Sequence, residues 1–127
     1  MLVNLEINKE NLRKNLEKIR SINKNIICVI KDNAYGLGIE NILPILLENN
    51  CNYFAVAYID EAVKIREILK NFEKEKKLKF LENRKIKIMA LNYIKPKKLE
   101  YAIENDVELT IFNFSQLSDY LKILEES

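Results

Sequence analysis

The sequence predicts an α/β chain: about four βα units on a parallel sheet, half of an eight-stranded (β/α)8 TIM barrel. Three observations carry this. Four short apolar runs, at residues 26–30, 53–57, 86–91 and 109–112, recur along the chain, and each is followed by a segment that reads as helix. Strands alternating with helices imply βαβ crossovers and parallel pairing. The length of 127 residues is that of one domain, whereas a closed barrel of this type needs about 250. The fourth strand is therefore expected to form an open edge, an association hazard. Either the chain is the N-terminal half of a longer barrel domain, spanning 1–127, or another copy completes its sheet; a fragment is the better account.

Taken in order, residues 2–7 form a short, partly alternating strand. Asn8 is placed to cap a helix over about 9–22, whose apolar face is Leu12, Leu16 and Ile19. The run Ile26-Ile27-Cys28-Val29-Ile30 is continuous, as expected of a strand buried on both sides. A helix over about 39–49 contains Pro44, which conflicts with helix propensity and predicts a kink or a late start. Tyr53 to Ala57 is the second strand, and Asp60 begins a helix with Ala62, Ile65 and Leu69 on its apolar face. Residues 70–87 are unusually rich in lysine and glutamate and read as solvated surface. Ile86 to Leu91 is the third strand, and Pro96 suits the first turn of a helix ending near Asn105. Leu109 to Phe112 is the fourth strand, before a last helix over 115–125 capped by Ser115.

Composition narrows the function. Apolar residues make up 48% of the chain, enough for a core. Basic residues number 21 and acidic ones 19, and acidic residues are interspersed in the lysine-rich stretch, so nucleic acid is not an expected partner. No apolar run reaches membrane-spanning length and no signal-peptide pattern opens the chain, which makes a cytoplasmic protein the expectation. The absence of histidine excludes Ser-His-Asp and Cys-His catalysis and any histidine-ligated metal. Cys28 and Cys51 have no metal-type spacing, and Cys28, inside an apolar run, reads as a reduced buried thiol. The adjacent carboxylates Asp60 and Glu61 point about 100° apart on a helix, so capping accounts for them better than acid–base pairing.

Both glycines of the chain fall within Lys31-Asp-Asn-Ala-Tyr-Gly-Leu-Gly38. The order is strand, lysine, glycine-bearing turn, helix. Gly36 and Gly38 permit positive φ and close backbone approach to a ligand. Free N–H groups at the following helix start would suit a phosphate. A lysine at the end of a buried strand can serve as an amine nucleophile, so the stretch fits a phosphorylated aldehyde held as a Schiff base. Asn33 reads as a cap or bridge inside this loop.

Lys31 to Gly38 resembles the pyridoxal-phosphate lysine motif of bacterial alanine racemases, Lys-Ala-Asn/Asp-Ala-Tyr-Gly-His-Gly. Asp32 replaces a small residue and Leu37 the usual histidine; the other positions agree. Phe54-Ala-Val-Ala57, Asp60-Glu-Ala62 and Ile65-Arg66 are similar to that family's second strand and helix. Ile88-Met-Ala-Leu91 and Leu109-Thr-Ile-Phe112 fall where it has its third and fourth strands, so the likeness runs from about Leu5 to Tyr120; residues 70–87 are longer than the matching loop of that family, which implies an extended helix plus a surface insertion.

The resemblance implies a cytoplasmic, homodimeric isomerase converting L-alanine to D-alanine for peptidoglycan. Lys31 would carry pyridoxal 5'-phosphate and exchange the Cα proton on the D-amino-acid face. Tyr35 would bond the cofactor phosphate, and Leu91 would face the barrel mouth, where a plain core role is equally open. At Arg66 the family has a recurrent arginine, for which a structural ion pair is the better reading. The family's second base is a tyrosine of the partner's C-terminal β-domain. That tyrosine, the arginine at the cofactor's phenolic oxygen and most of the phosphate cup have no matching position here, so residues 1–127 alone are expected to be inactive. Two other readings stay open: a non-catalytic protein of pyridoxal-phosphate homeostasis, against which Ala34-Tyr35-Gly36 argues, and a structural remnant.

Overall fold

The computed structural model describes residues 6–75 and 84–126. Four parallel strands form one sheet in the order β1-β2-β3-β4. They are β1 (Cys28–Val29), β2 (Tyr53–Val56), β3 (Lys87–Ala90) and β4 (Val107–Leu109). Each strand pairs with the next in sequence, so every crossover advances the sheet by one strand, and β1 and β4 are its edges. Cys28, Phe54, Ile88 and Val107 stand in register, as do Val29, Ala55, Met89 and Glu108. In a parallel sheet residues in register share a face. The first row packs under the helices; the second forms the opposite face.

The core lies on the helical side. Phe54 and Ile88 have no exposed surface, and Leu43, Leu47 and Ile65 meet the same cluster from the helices. Burying one side chain of that size stabilises by about 1.5–3 kcal/mol. Helix α1 (Lys9–Ile22) is capped as expected, with the Asn11 N–H donating to Asn8 Oδ1 at 3.0 Å. Leu16 is buried, but Ile19 is half exposed, at the rim of that face. Helix α3 (Ile39–Glu48) runs through Pro44 with no late start. The N–H that proline lacks would have bonded Glu40, an exposed residue, so the orphaned carbonyl is open to water.

Helix α4 (Ile59–Lys74) packs on β2 and β3. It extends beyond residue 70, as anticipated; the insertion expected after it lies largely outside the described residues. Pro96–Lys98 is a 3-10 turn leading into α5 (Leu99–Glu104). Arg66 of α4 reaches under the turn after α5. Its Nε donates to the Asn105 carbonyl and its Nη2 to the Asp106 carbonyl, both at 2.9 Å, with the Asp106 carboxylate 3.8 Å away. The expected ion pair is thus secondary to two carbonyl bonds.

Two strand-level expectations and one helix cap need correction. The 26–30 run is not buried on both sides: Ile27 and Val29 are exposed, because the face opposite the helices is uncovered and β1 is an edge. The fourth strand begins two residues earlier than expected and ends at Leu109, the last partner of β3. Beyond it, Phe112 N–H donates to Gln116 Oε1 at 2.6 Å and Gln116 Nε2 donates to Thr110 O at 3.0 Å, so a buried side chain replaces the ladder. Helix α6 (Phe114–Glu126) is capped by Asn113, whose Oδ1 accepts from Gln116 N–H at 2.8 Å, rather than by Ser115. The strand expected over 2–7 lies mostly outside the described residues, and Glu6 and Ile7 are not part of a strand.

Candidate functional site

The Ile30 N–H donates to Ala55 O at 2.9 Å, carrying the β1–β2 ladder one residue past the strand. Lys31 follows immediately, at the carboxyl end of the sheet, and is half-buried. Its side chain has no ion pair or hydrogen bond among the described residues. The next turn, α2 (Lys31–Tyr35), is left-handed: Asp32, Asn33, Ala34 and Tyr35 all have φ between 53° and 56°. Asp and Asn tolerate this region; for residues such as alanine and tyrosine the left-handed conformation costs about 1–2 kcal/mol each.

Tertiary bonds hold this backbone. Asn33 accepts at both its oxygens: Oδ1 from Ile39 N–H at 3.0 Å and the main-chain carbonyl from Gly38 N–H at 2.9 Å. Gly36 has φ +87° and Gly38 φ +90°. Both angles favour glycine, and a Cβ on Gly38 would also sit 2.8 Å from Asn41 Nδ2, whereas one on Gly36 would meet nothing within 4 Å. The first N–H of α3, at Ile39, is taken by Asn33 Oδ1 and is not itself free for a phosphate.

The third tether was not legible as such. Glu61, in the first turn of α4, accepts from Ala57 N–H at 3.1 Å and Tyr58 N–H at 3.0 Å with Oε1. Its Oε2 accepts from Asp32 N–H at 2.7 Å. An acidic residue at the third helical position announces a capping box, and capping was expected of it. Nothing in the sequence signals that its second oxygen clamps the residue after Lys31.

The other predicted residues distribute around this rim. The Tyr35 side chain is 61% exposed, beside a groove of about 210 Å³ lined by Val29, Ala34, Leu37 and Ile42 among others. Leu91 follows β3, half-buried, its N–H bonded to Val56 O at 2.8 Å. Arg66 is remote in role, engaged with the Asn105–Asp106 turn. On the sheet face opposite the helices, Tyr53 OH bonds the Glu108 carboxylate and Lys87 Nζ lies 5.5 Å from the Tyr53 ring. That bond raises the Tyr53 phenol above its ordinary acidity range. No group of three Cys, Asp or Glu side chains capable of holding a metal occurs among the described residues. Nor is any described helix long and apolar enough to cross a membrane.

Comparison with known proteins decides the family. Residues 7–127 match the family described as alanine racemase, N-terminal domain. The chain belongs to the alanine racemase family. An alanine racemase of Staphylococcus carnosus is 31% identical over 124 residues, covering 96% of this chain and 29% of the relative. One from Fusobacterium nucleatum is 46% identical over 65 residues, 50% of this chain and 18% of the relative. Among solved structures, alanine racemase from Oenococcus oeni superposes with a TM-score of 0.76 at 24% identity, over 94% of this chain and 31% of that one. The chain spans less than a third of the length of each. Its four βα units correspond in fold to the N-terminal part of the alanine racemase barrel.

Proposed function

We propose that this chain is the N-terminal half of the barrel domain of a pyridoxal-phosphate-dependent alanine racemase. Lys31 holds the cofactor's aldehyde and Tyr35 bonds its phosphate. The observation that carries this reading is the left-handed run directly after Lys31. Strain of that kind clusters at sites of function, where surrounding bonds over-determine it. The residues fit the group. Lys31 offers an uncommitted primary amine at the carboxyl end of a strand, where barrel enzymes do their chemistry. Tyr35 offers an exposed phenol four residues on. The first N–H of α3 does not contribute, since Asn33 occupies it.

When bound, the cofactor supplies an electron sink for charge developing at the substrate Cα. The Lys31 amine takes or returns the Cα proton on one face. Glu61 fixes the backbone beside it, and Tyr35 anchors the phosphate end. The base for the opposite face, a substrate-binding arginine and most phosphate contacts have no counterpart among residues 1–127, so the chain by itself is inactive. The complete protein is a cytoplasmic homodimer supplying D-alanine for peptidoglycan.

The test uses the protein carrying its whole barrel and β-domain. Borohydride reduction and peptide mapping find the cofactor on the peptide containing Lys31. Lys31→Ala and Lys31→Arg remove both this label and conversion of L-alanine to D-alanine, a guanidinium being unable to serve as the amine. Tyr35→Phe keeps the label and weakens cofactor retention by about 1.5–3 kcal/mol, the worth of one hydrogen bond to a charged group. A label on another lysine, or full activity in Lys31→Ala, overturns the assignment.

A further inference from the structure

The amino-terminal end of the sheet carries a pocket of about 380 Å³ that the Lys31 site, at the carboxyl end, does not use. Arg20 and Lys24 line it from the end of α1 and the turn that follows, Lys85 and Lys87 from the entry into β3. The Lys87 N–H donates to Asn52 O at 2.8 Å, which sets the start of β3 beside the start of β2. Lys87 Nζ lies 5.5 Å from the Tyr53 ring, another wall of the pocket. Arg20 is half-buried, with Nη2 3.5 Å from Cys51 Sγ. Segments distant in sequence thus gather four cations around one hollow. No carboxylate lines it, and no ion pair among the described residues engages any of the four. The chain as a whole has 21 basic and 19 acidic residues, so this concentration does not follow from composition.

We propose that this pocket binds a small molecule carrying two phosphoryl groups. Each phosphoryl group brings about −1.5 to −2 charges at pH 7, so two of them balance four cations where a single carboxylate would not. Arg20 offers the planar N–H fork that suits phosphoryl oxygens, and the lysines offer point charges around it. Like charges gathered in one hollow repel each other, and an anion of this kind relieves that cost.

Ile26, Ile27 and the Tyr53 ring give the pocket an apolar wall for the organic part of such a molecule. Its volume falls in the range of small-molecule sites, about 300–1,000 Å³. Lys31 lies four residues beyond Ile27, about 13 Å along extended backbone, so the two sites can be tested separately.

The experiment titrates the 127-residue chain with inorganic pyrophosphate, by calorimetry and by amide chemical shifts. The expected result is saturable one-to-one binding that weakens as salt rises, with inorganic phosphate and sulfate binding several-fold more weakly. Amide shifts of the unaltered chain move at residues 24–27 and 85–87 and stay in place at 31–38. Lys24→Gln combined with Lys85→Gln weakens binding several-fold. Lys64→Gln combined with Lys122→Gln, the same change of charge at exposed positions elsewhere, leaves it unaltered. Circular dichroism checks that each variant folds, and the shift map of the unaltered chain decides the matter even where one does not. No saturation at millimolar pyrophosphate, shifts centred on Lys31, sulfate binding as tight as that of pyrophosphate, or equal losses in the two double variants would each overturn the proposal.

Discussion

The Glu61 carboxylate accepts the Asp32 N–H at 2.7 Å, joining the start of α4 to the residue after Lys31. Its other oxygen accepts the N–H groups of Ala57 and Tyr58. One side chain thus caps a helix and fixes a neighbouring loop.

Glu61→Ala removes the only side-chain acceptor that those three donors have among the described residues. Loss of a cap costs about 0.5–2 kcal/mol, and the additional tether puts this case at the upper end, about 2 kcal/mol. Urea denaturation will show a lower midpoint at unchanged slope. Glu61→Gln will recover part of the loss, because its single remaining oxygen can accept from Tyr58 but its amide cannot accept from Asp32. Equal stability of the alanine variant and the parent would remove the clamp from the account.

The sheet face opposite the helices provides a pH test. The Tyr53–Glu108 bond raises the folded-state pKa of the phenol from its ordinary value of 10.0. A group raised on folding contributes stability fully below its unfolded pKa and loses it as pH climbs through the folded one. Stability will therefore fall above pH about 10, more steeply in the parent than in Glu108→Gln. Ultraviolet titration will find one tyrosine ionising late in the parent and at ordinary pH in the variant. Superimposable curves would show that the bond does not form in solution.

An uncovered apolar surface predicts association. Phe114 is 89% exposed and Leu121, on the same side of α6 two turns on, is 48% exposed; Val29 and Ile27 are partly exposed on the open sheet face. Patches of that kind mark contact surfaces or aggregation liabilities. Sedimentation at low micromolar concentration will show species larger than the 15.0 kDa monomer. Phe114→Glu combined with Leu121→Glu will shift the distribution toward monomer without loss of helix content. A clean monomer for the parent would contradict this.

Much of the fold was legible because periodicity and punctuation agreed: Asn8 caps α1, Pro96 opens the turn into α5, and the apolar runs became successive parallel strands. The location of Lys31 at a strand end, and Asn33 as a bridge, also followed from local pattern. What escaped depended on partners distant in sequence. Glu61 looks like any capping glutamate until Asp32 is brought to it. Asn113 outcompetes Ser115 because Gln116 is buried and needs a helix start one residue earlier. The apolar run at 26–30 gave no hint that one face would be bare, since composition reports what a strand can bury and not what covers it. The handedness of Ala34 and Tyr35 was invisible, neither being a residue that favours it.

That handedness ties the loop to a later part of the chain. Four consecutive left-handed residues are unfavourable in an isolated segment, and Glu61, which helps to hold them, arrives only when α4 docks on β2. A peptide ending before β2 would relax to ordinary backbone angles and lose the shape of the loop. The geometry of the Lys31 neighbourhood consequently depends on the second βα unit being in place.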